Sequence, residues 1–464
     1  MEHENPGGAE RGEQQSVLLG PPVGEPQPRR ATGQRAWDVL WSRTAREAAG
    51  FAGAGLAANV LAVVATALLT RNLAPAEFGS YSFAVSLLLF VALFFEFGLF
   101  VPAARIAAVN EGRSRREVVG AALVVYLPVG VLFCATIFLL SFWVDGWFRV
   151  DAEQALRVAA PIAAAYPFVL VLQQLAQGVD RLHVASTATV LAQLLLVALL
   201  TVQLRVTGDL SASSALVLRS VALLIACAIA VLWLRAAFDA IAPWVRELVR
   251  QARRWGLQVY VGRVLSTGTY NMDVLMLGLW TDPQSVGFYA LASAIAAATG
   301  LPVLGMAAAL FVRMARAPSI PRQWLVTATV IGTALALAAA LLAEPAIRVL
   351  FSPRYVPAAE LVLPLALAAA VRGVASVYNT FLSAHGRGAA LRNAGIVLAT
   401  SNIAFNVALI PPFGAKGAAW ASLFALVVNL IAHVVFYRRS FTRSAAAQHD
   451  RDSENVRGGG STLR

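Results

Sequence analysis

Charge is scarce in this chain. Only 13% of its 464 residues are Asp, Glu, Lys or Arg, and 58% are hydrophobic, whereas a soluble domain is about a quarter charged. That excludes an ordinary water-soluble enzyme. Cysteine is almost missing: Cys134 and Cys227 both fall in apolar runs, where nothing oxidises them to a disulfide, so they read as small packing residues. Lys416 is the one lysine among 37 basic residues, so the choice of arginine at any single site carries no information. There is no GxxxxGK[ST], no HExxH and no Cys/His set at metal spacing. The chain is therefore expected to be no enzyme, to use no cofactor or metal, and to drive no transport by ATP on its own. No cleavable signal peptide is visible. Short alternating strands are also missing, which removes the closed β-barrel as a way through a membrane.

What is present is a series of apolar runs, most of eighteen residues or more and long enough to cross a bilayer as helices. Twelve are expected, at roughly 50–70, 80–104, 118–143, 155–178, 185–204, 213–235, 256–280, 285–311, 324–343, 358–384, 391–411 and 417–437. Residues 1–47 and 439–464 have the Gly-, Pro-, Gln- and Arg-rich composition of disordered tails. Trp37 and Trp41, four apart, suggest a short interfacial helix in the first tail.

The net charge of +12 is not a nucleic-acid footprint, because it is placed by side. Counting from the N-terminus as inside, odd-numbered connections carry seven positive residues (Arg71, Arg149, Arg157, Arg205, Arg348, Arg354, Lys416). The even-numbered ones carry fifteen, including Arg113, Arg115 and Arg116 and the run Arg246, Arg250, Arg253 and Arg254. Positive residues stay on the cytoplasmic side, so both termini are expected there, in a multi-pass protein of the cell membrane. The remaining basicity attracts anionic lipid and implies no nucleic-acid partner.

The chain also repeats. "LAPAEFGSYSFA" (Leu73 to Ala84) returns as "TDPQSVGFYALA" (Thr281 to Ala292), matching Pro75, Gly79, Tyr81 and Ala84 to Pro283, Gly287, Tyr289 and Ala292. Arg105 matches Arg313 at the same offset of 208, and Arg181 and Gly208 match Arg387 and Gly414 at 206. Six helices repeat as six, so both halves enter the membrane in one direction and should be related by a pseudo-two-fold axis along its normal. This predicts an all-α protein of two six-helix lobes, 48–236 and 256–438, joined by a basic linker at 237–255. In each hairpin the proline stops one helix, the glycine allows the turn and the tyrosine is expected to anchor the next helix at the interface.

The stretches "RNLAPAEFGSYSFAVS", "YNMDVLMLGLWTDPQSVGFYALA", "LFSPRYVPAAELVLPLAL" and "IPPFGAKGAAWASL" resemble the polysaccharide and lipid-linked oligosaccharide flippases of the MOP (MATE-like) superfamily. The resemblance spans about residues 48 to 438. It implies a V-shaped, two-lobed transporter that moves an undecaprenyl-diphosphate-linked glycan from the cytoplasmic to the outer leaflet by alternating access. It also implies membrane lipids as partners, with a polysaccharide polymerase and glycosyltransferases in the same pathway. A cation-coupled multidrug exporter of the same superfamily is the nearest alternative. Such exporters usually carry a carboxylate in the first helix, where this chain has only Asn59 and Thr66 as notable polar groups. A glycan-polymerising membrane enzyme would need a large outer loop, and the longest here is about a dozen residues around Asp145 to Glu153. A non-transporting scaffold is a further alternative.

An anionic headgroup must cross about 30 Å of hydrocarbon, and each ionisable residue placed there costs about 2.5–3.5 kcal/mol on insertion scales. The seventh span puts Arg263, Ser266, Thr267, Tyr270, Asn271 and Asp273 on one arc of about 160°, the look of a cavity wall. Arg263 and Asp273 are about 15 Å apart along a helix and cannot pair with each other. Either neighbouring helices neutralise them, or Arg263 meets a phosphate or sugar acid while Asp273 gates or binds a coupling cation. Glu96, among phenylalanines, either takes up a coupling proton or forms a fixed pair with an arginine such as Arg263. Arg219 and Arg372 are further lumen candidates, Arg372 the better because Gly373, Ser376, Tyr378 and Asn379 follow it. The one-turn pairs Gln173/Gln177 and Asn402/Asn406 can contact sugar hydroxyls or bind helices together.

Overall fold

A computed structural model describes residues 43–256, 260 and 271–458, with side chains from 53 to 254, at 260 and from 271 to 439. Among the described residues there is no strand. The first lobe runs α1 (Arg43–Asn72), α2 (Pro75–Phe94), α3 (Phe100–Val109), α4 (Gly112–Trp147), α5 (Glu153–Ala159), α6 (Ala165–Gly178), α7 (Leu182–Val206) and α8 (Ala212–Leu234). After α9 (Ile241–Gln251) come α10 (271–280), α11 (Pro283–Ala309), α12 (Phe311–Arg316), α13 (Arg322–Ala346) and α14 (Ala359–Ala384). The helical run Gly388–Gly458 is broken at Gly414, which leaves helical φ/ψ space, giving α15 (388–413) and α16 (415–458). A Cβ at Gly417 would lie 1.9 Å from the Leu409 carbonyl oxygen, whereas eight residues of straight helix span about 12 Å. The break is therefore a hairpin. Nine of the described helical segments are long and apolar enough to span a membrane, ten if the pair α5–α6, bent by 47°, is one span. With the hairpin counted as two, and span seven partly outside the described residues, this accords with twelve.

Sequence repetition becomes geometric repetition. Gly208 (φ 71) and Gly414 (φ 56) both adopt the left-handed conformation between paired helices, which is why both positions hold glycine. Asp180 (φ 57) and Gly386 (φ 66) do the same one residue before the matched arginines. There Arg181 N donates to Ala176 O and Arg387 N to Leu382 O, at 2.8 and 2.9 Å, a six-to-one helix ending made twice.

The two lobes meet at the matched glycines. A Cβ on Gly79 would lie 1.7 Å from Pro283 O and 2.9 Å from Gly287 N; one on Gly287 would lie 2.2 Å from Pro75 O and 3.2 Å from Gly79 N. Each residue's surroundings on one helix repeat on the other, the mark of a two-fold relation. So α2 and α11 cross backbone to backbone, and only glycine fits. The same end is fastened by Arg71, whose guanidinium donates to the carbonyls of Val349, Leu350 and Phe351. Those carbonyls end the π-helical turn Ile347–Phe351, where a cation also meets the negative end of the helix. Tyr355 donates to Leu73 O, and Arg149 N to Gly278 O. Arg71 and Arg149 therefore hold the lobes together from what sequence treats only as connections.

Two expectations change. The second span is not continuous: it breaks at Phe95–Leu99, with Phe97 (φ 46) and Gly98 (φ 66) left-handed. Tyr81 and Tyr289 are not interfacial anchors, being 5% and 3% exposed. The linker, in turn, contains a helix, α9, whose Trp244 donates to Glu117 of α4.

Gly79→Ala or Gly287→Ala is expected to lower the Tm in detergent by wedging the crossing apart, at a cost of about 1–3 kcal/mol. Gly305→Ala, in a helix with no atom within 4 Å of the new Cβ, is the control and should leave the Tm unchanged or raised.

Candidate functional site

The deepest polar cluster is built around Asp273 on α10. Its Oδ1 accepts from Asn402 Nδ2 at 2.9 Å and Asn406 Nδ2 at 2.7 Å, both on α15. Its Oδ2 accepts from the Tyr289 hydroxyl at 2.9 Å and from Ser422 Oγ on α16. The Tyr289 and Ser422 hydroxyl oxygens also lie 3.1 Å apart, and Asn406 Nδ2 donates to Asn402 Oδ1 at 3.1 Å. Local sequence explains the convergence. Asn402 and Asn406 stand one turn apart on one face, and the Gly414 turn folds Ser422 back beside them.

Four neutral donors satisfy the carboxylate's hydrogen-bonding capacity without cancelling its charge. Among the described residues no cation pairs with Asp273. Asn406 Oδ1 is buried with no hydrogen-bond partner, so this neutral cage holds a formal negative charge and a spare oxygen acceptor. Tyr289 and Ser422 were not legible as site residues. Tyr289 was visible as a repeated position, but nothing in the repeat says it turns inward.

Lobe one carries the opposite sign in the matching place. Tyr81, the counterpart of Tyr289, and Tyr166 on α6 stand beside Arg219 on α8. Both tyrosines are buried. Tyr81 was visible only as a repeated position, and Tyr166 has no signal in sequence beyond its being polar in an apolar run.

Glu96 lies in the break between α2 and α3, 3% exposed, and accepts from Gln174 Nε2 on α6. The expected glutamines Gln173 and Gln177 are both exposed, while Gln174 between them is the buried partner. Tyr260 donates to Phe94 O at 2.9 Å, taking up a carbonyl at the broken end of α2. Arg372 is exposed in the middle of α14, where the adjacent Gly373 is packed against Val303. Asn271 is half-buried on α10. Arg263 and Tyr270 lie outside the described residues. Among the described residues no group of three or more His, Cys, Asp or Glu could hold a metal ion.

A two-lobed helical bundle with segments long and apolar enough to cross a membrane, and with charged side chains buried inside it, defines a polytopic membrane-protein fold. A family model described as "Polysaccharide biosynthesis protein" matches residues 45–318. The chain belongs to that polysaccharide biosynthesis family. No curated protein sequence matches it. Among solved structures it is similar to a multidrug resistance MATE family transporter of the MOP superfamily in its inward-facing conformation. There the TM-score is 0.67 at 17% identity, over 84% of this chain and 96% of that one. The outward-facing conformation of a multidrug resistance MATE family transporter of the MOP superfamily gives 0.54 at 17%, over 87% and 95%. Lipid II flippase MurJ, inward closed, gives 0.64 at 13%, over 83% and 86%. At these identities the likeness establishes the fold.

Ser422→Ala should destabilise the protein by about 1.5–3 kcal/mol, the worth of a hydrogen bond to a charged group. The loss should shrink when Asp273→Asn is already present, a double-mutant cycle readable by thermal or denaturant unfolding in detergent.

Proposed function

We propose that this protein moves a lipid-linked glycan, carried on a polyprenyl diphosphate of the undecaprenyl type, from the cytoplasmic to the outer leaflet of the cell membrane. The observation that carries the reading is the family match on a transporter fold: a polysaccharide biosynthesis protein built as two MOP-type lobes. On this reading both termini are cytoplasmic, the lobes are 48–236 and 256–438, and the end closed by Gly79, Gly287 and Arg71 is the outer one. The better superposition on the inward-facing relative than on the outward-facing one supports that orientation of the gate. Arg372, exposed at mid-helix, supports a wet path between the lobes, because an arginine is costly anywhere else at that depth. Arg263, Tyr270 and Asn271 belong to the same wall, with the arginines meeting diphosphate or sugar acids and the amides meeting hydroxyls. Glycosyltransferases supply the substrate and a polymerase consumes it.

Asp273 is the coupling group. Its uncompensated charge and the unpaired Asn406 Oδ1 suit a proton or a monovalent cation, held by Asp273, Asn402 and Asn406. A bound cation would supply the missing positive charge. The chain's own residues do the rest: α10, α11, α15 and α16 are tied through one carboxylate, so its charge state affects how lobe two packs. Glu96, in the α2 break beside Gln174, is the second candidate for proton uptake.

The multidrug-exporter reading is favoured by the first similar structure but lacks an acidic group in the apolar span 50–70 of the first helix, where Asn59 and Thr66 are the notable polar residues.

In cells lacking their own copy, charge reversal by Asp273→Lys or Arg263→Glu, with membrane expression confirmed, should abolish surface polysaccharide. Full surface polysaccharide in either variant would contradict the assignment. Arg71→Ala should weaken the closed end. Spin labels at Ala76 and Gln284, near the starts of α2 and α11, should then show a larger population of long distances than in the parent protein.

A further inference from the structure

We infer that lobe one holds the phosphate of an anionic phospholipid in a cavity between the start of α7 and the end of α8, formed by Arg181, His183, Trp233 and Arg235. The occupant is a glycerophospholipid of the leaflet on the basic side of the protein. The inference goes beyond the transport reading and rests on it only for naming that leaflet cytoplasmic.

The cavity measures about 680 Å³, and its lining contains two arginines, a histidine and a tryptophan but no Asp or Glu. Arg181 stands just before α7 and Arg235 just after α8, and the turn at Gly208 between these helices brings both cations to one end. Arg181 is fixed there, its Nη1 donating to the Trp233 carbonyl at 2.8 Å. That bond takes one of the five N–H donors of a guanidinium. Asp180, next in the chain, lies outside the lining and forms no ion pair with either arginine. An arginine is also a costly choice at position 235. The residue is left-handed (φ 53, ψ 50), a conformation in which glycine ends a helix without steric penalty. Backbone strain of this kind is retained where the side chain itself is used. In lobe two the positions matching His183 and Arg235 at the offset of 206 hold Ala389 and Phe441, so the second copy of the fold needs neither.

The surroundings select a lipid over a soluble anion. Leu182, Leu232 and Trp233 are 47%, 74% and 43% exposed beside the cations. Ile225, two turns before Leu232 on the same face of α8, is exposed as well. This apolar strip runs from the cavity along the helix, where an acyl chain covers it. The indole of Trp233 sits at the level of the headgroups, as interfacial tryptophans do. Basic pockets between helix ends on this side of a membrane take anionic headgroups, and an arginine fork matches two phosphate oxygens at once. A free anion would satisfy the cations and leave the strip bare; a phospholipid meets both.

The test uses the full-length protein in detergent, titrated separately with phosphatidylglycerol, phosphatidylcholine, inorganic phosphate and a polyprenyl diphosphate while thermal stability is followed. Phosphatidylglycerol should raise the Tm saturably, and phosphatidylcholine and inorganic phosphate should not. His183→Ala combined with Arg235→Gly should weaken the apparent affinity about tenfold or more. Glycine suits the left-handed backbone, so this variant should start from an unchanged or raised Tm. Thr187→Trp, which fills the cavity from its lining and leaves every cation in place, should weaken binding as much and serves if the double variant does not fold. Arg205→Ala, one positive charge fewer at the opposite end of α7, should respond as the parent protein does. An equal response to phosphatidylcholine, no response to phosphatidylglycerol, undiminished binding in both cavity variants, or equal weakening in the Arg205 variant overturns the site. A matching response to inorganic phosphate, or a response to the polyprenyl diphosphate in place of phosphatidylglycerol, overturns the phospholipid as occupant. No transport is measured, so a failed flippase reading leaves the result standing.

Discussion

Charge carried into hydrocarbon must be compensated, and the interior of this protein is organised by how it meets that demand. Lobe two surrounds Asp273 with four neutral donors from three helices. Lobe one surrounds Arg219 with two tyrosine hydroxyls. The same duplicated tyrosine serves a negative charge in one lobe and a positive charge in the other. Neither charge is cancelled by a fixed counter-charge among the described residues. Each is a single charge in a neutral cage rather than one half of a buried ion pair.

The crossing between the lobes lies on the same helices. Tyr81 is two residues from Gly79, and Tyr289 two from Gly287, so each charge cluster is adjacent in sequence to the backbone crossing that holds the lobes together. Asp273 is tied to α11 through Tyr289, and α11 is half of the crossing. The broken α2, with a phenylalanine held at positive φ beside Glu96, supplies a second place where the helix axis is not fixed by regular hydrogen bonding.

Most of the fold was legible because hydrophobic length and turn chemistry are local. The apolar runs gave the spans, and the glycine and arginine matches gave the repeat, down to the left-handed residues at Gly208 and Gly414. Asn402 and Asn406 were visible as a shared face. What sequence could not show was orientation. Whether Tyr289 points to the interface or to Asp273 depends on the rotation of α11 against α10 and α16. Gln174 was hidden between two more conspicuous glutamines for the same reason. The break in α2 had a faint signal, a glycine two residues after a glutamate, but its left-handed Phe97 follows from packing that no periodicity describes. Ser422 reaches the site only because Gly414 folds the chain back.

The central claim is that this bundle carries a lipid-linked glycan across the membrane. It is tested most directly by reconstituting the purified protein into vesicles that hold a fluorescent polyprenyl-diphosphate oligosaccharide in one leaflet, and following its loss of protection from a lectin or glycosidase added outside. The account predicts protein-dependent exposure that is lost in Asp273→Lys, with no comparable transport of a cationic dye. Dye transport without glycan exposure would contradict it.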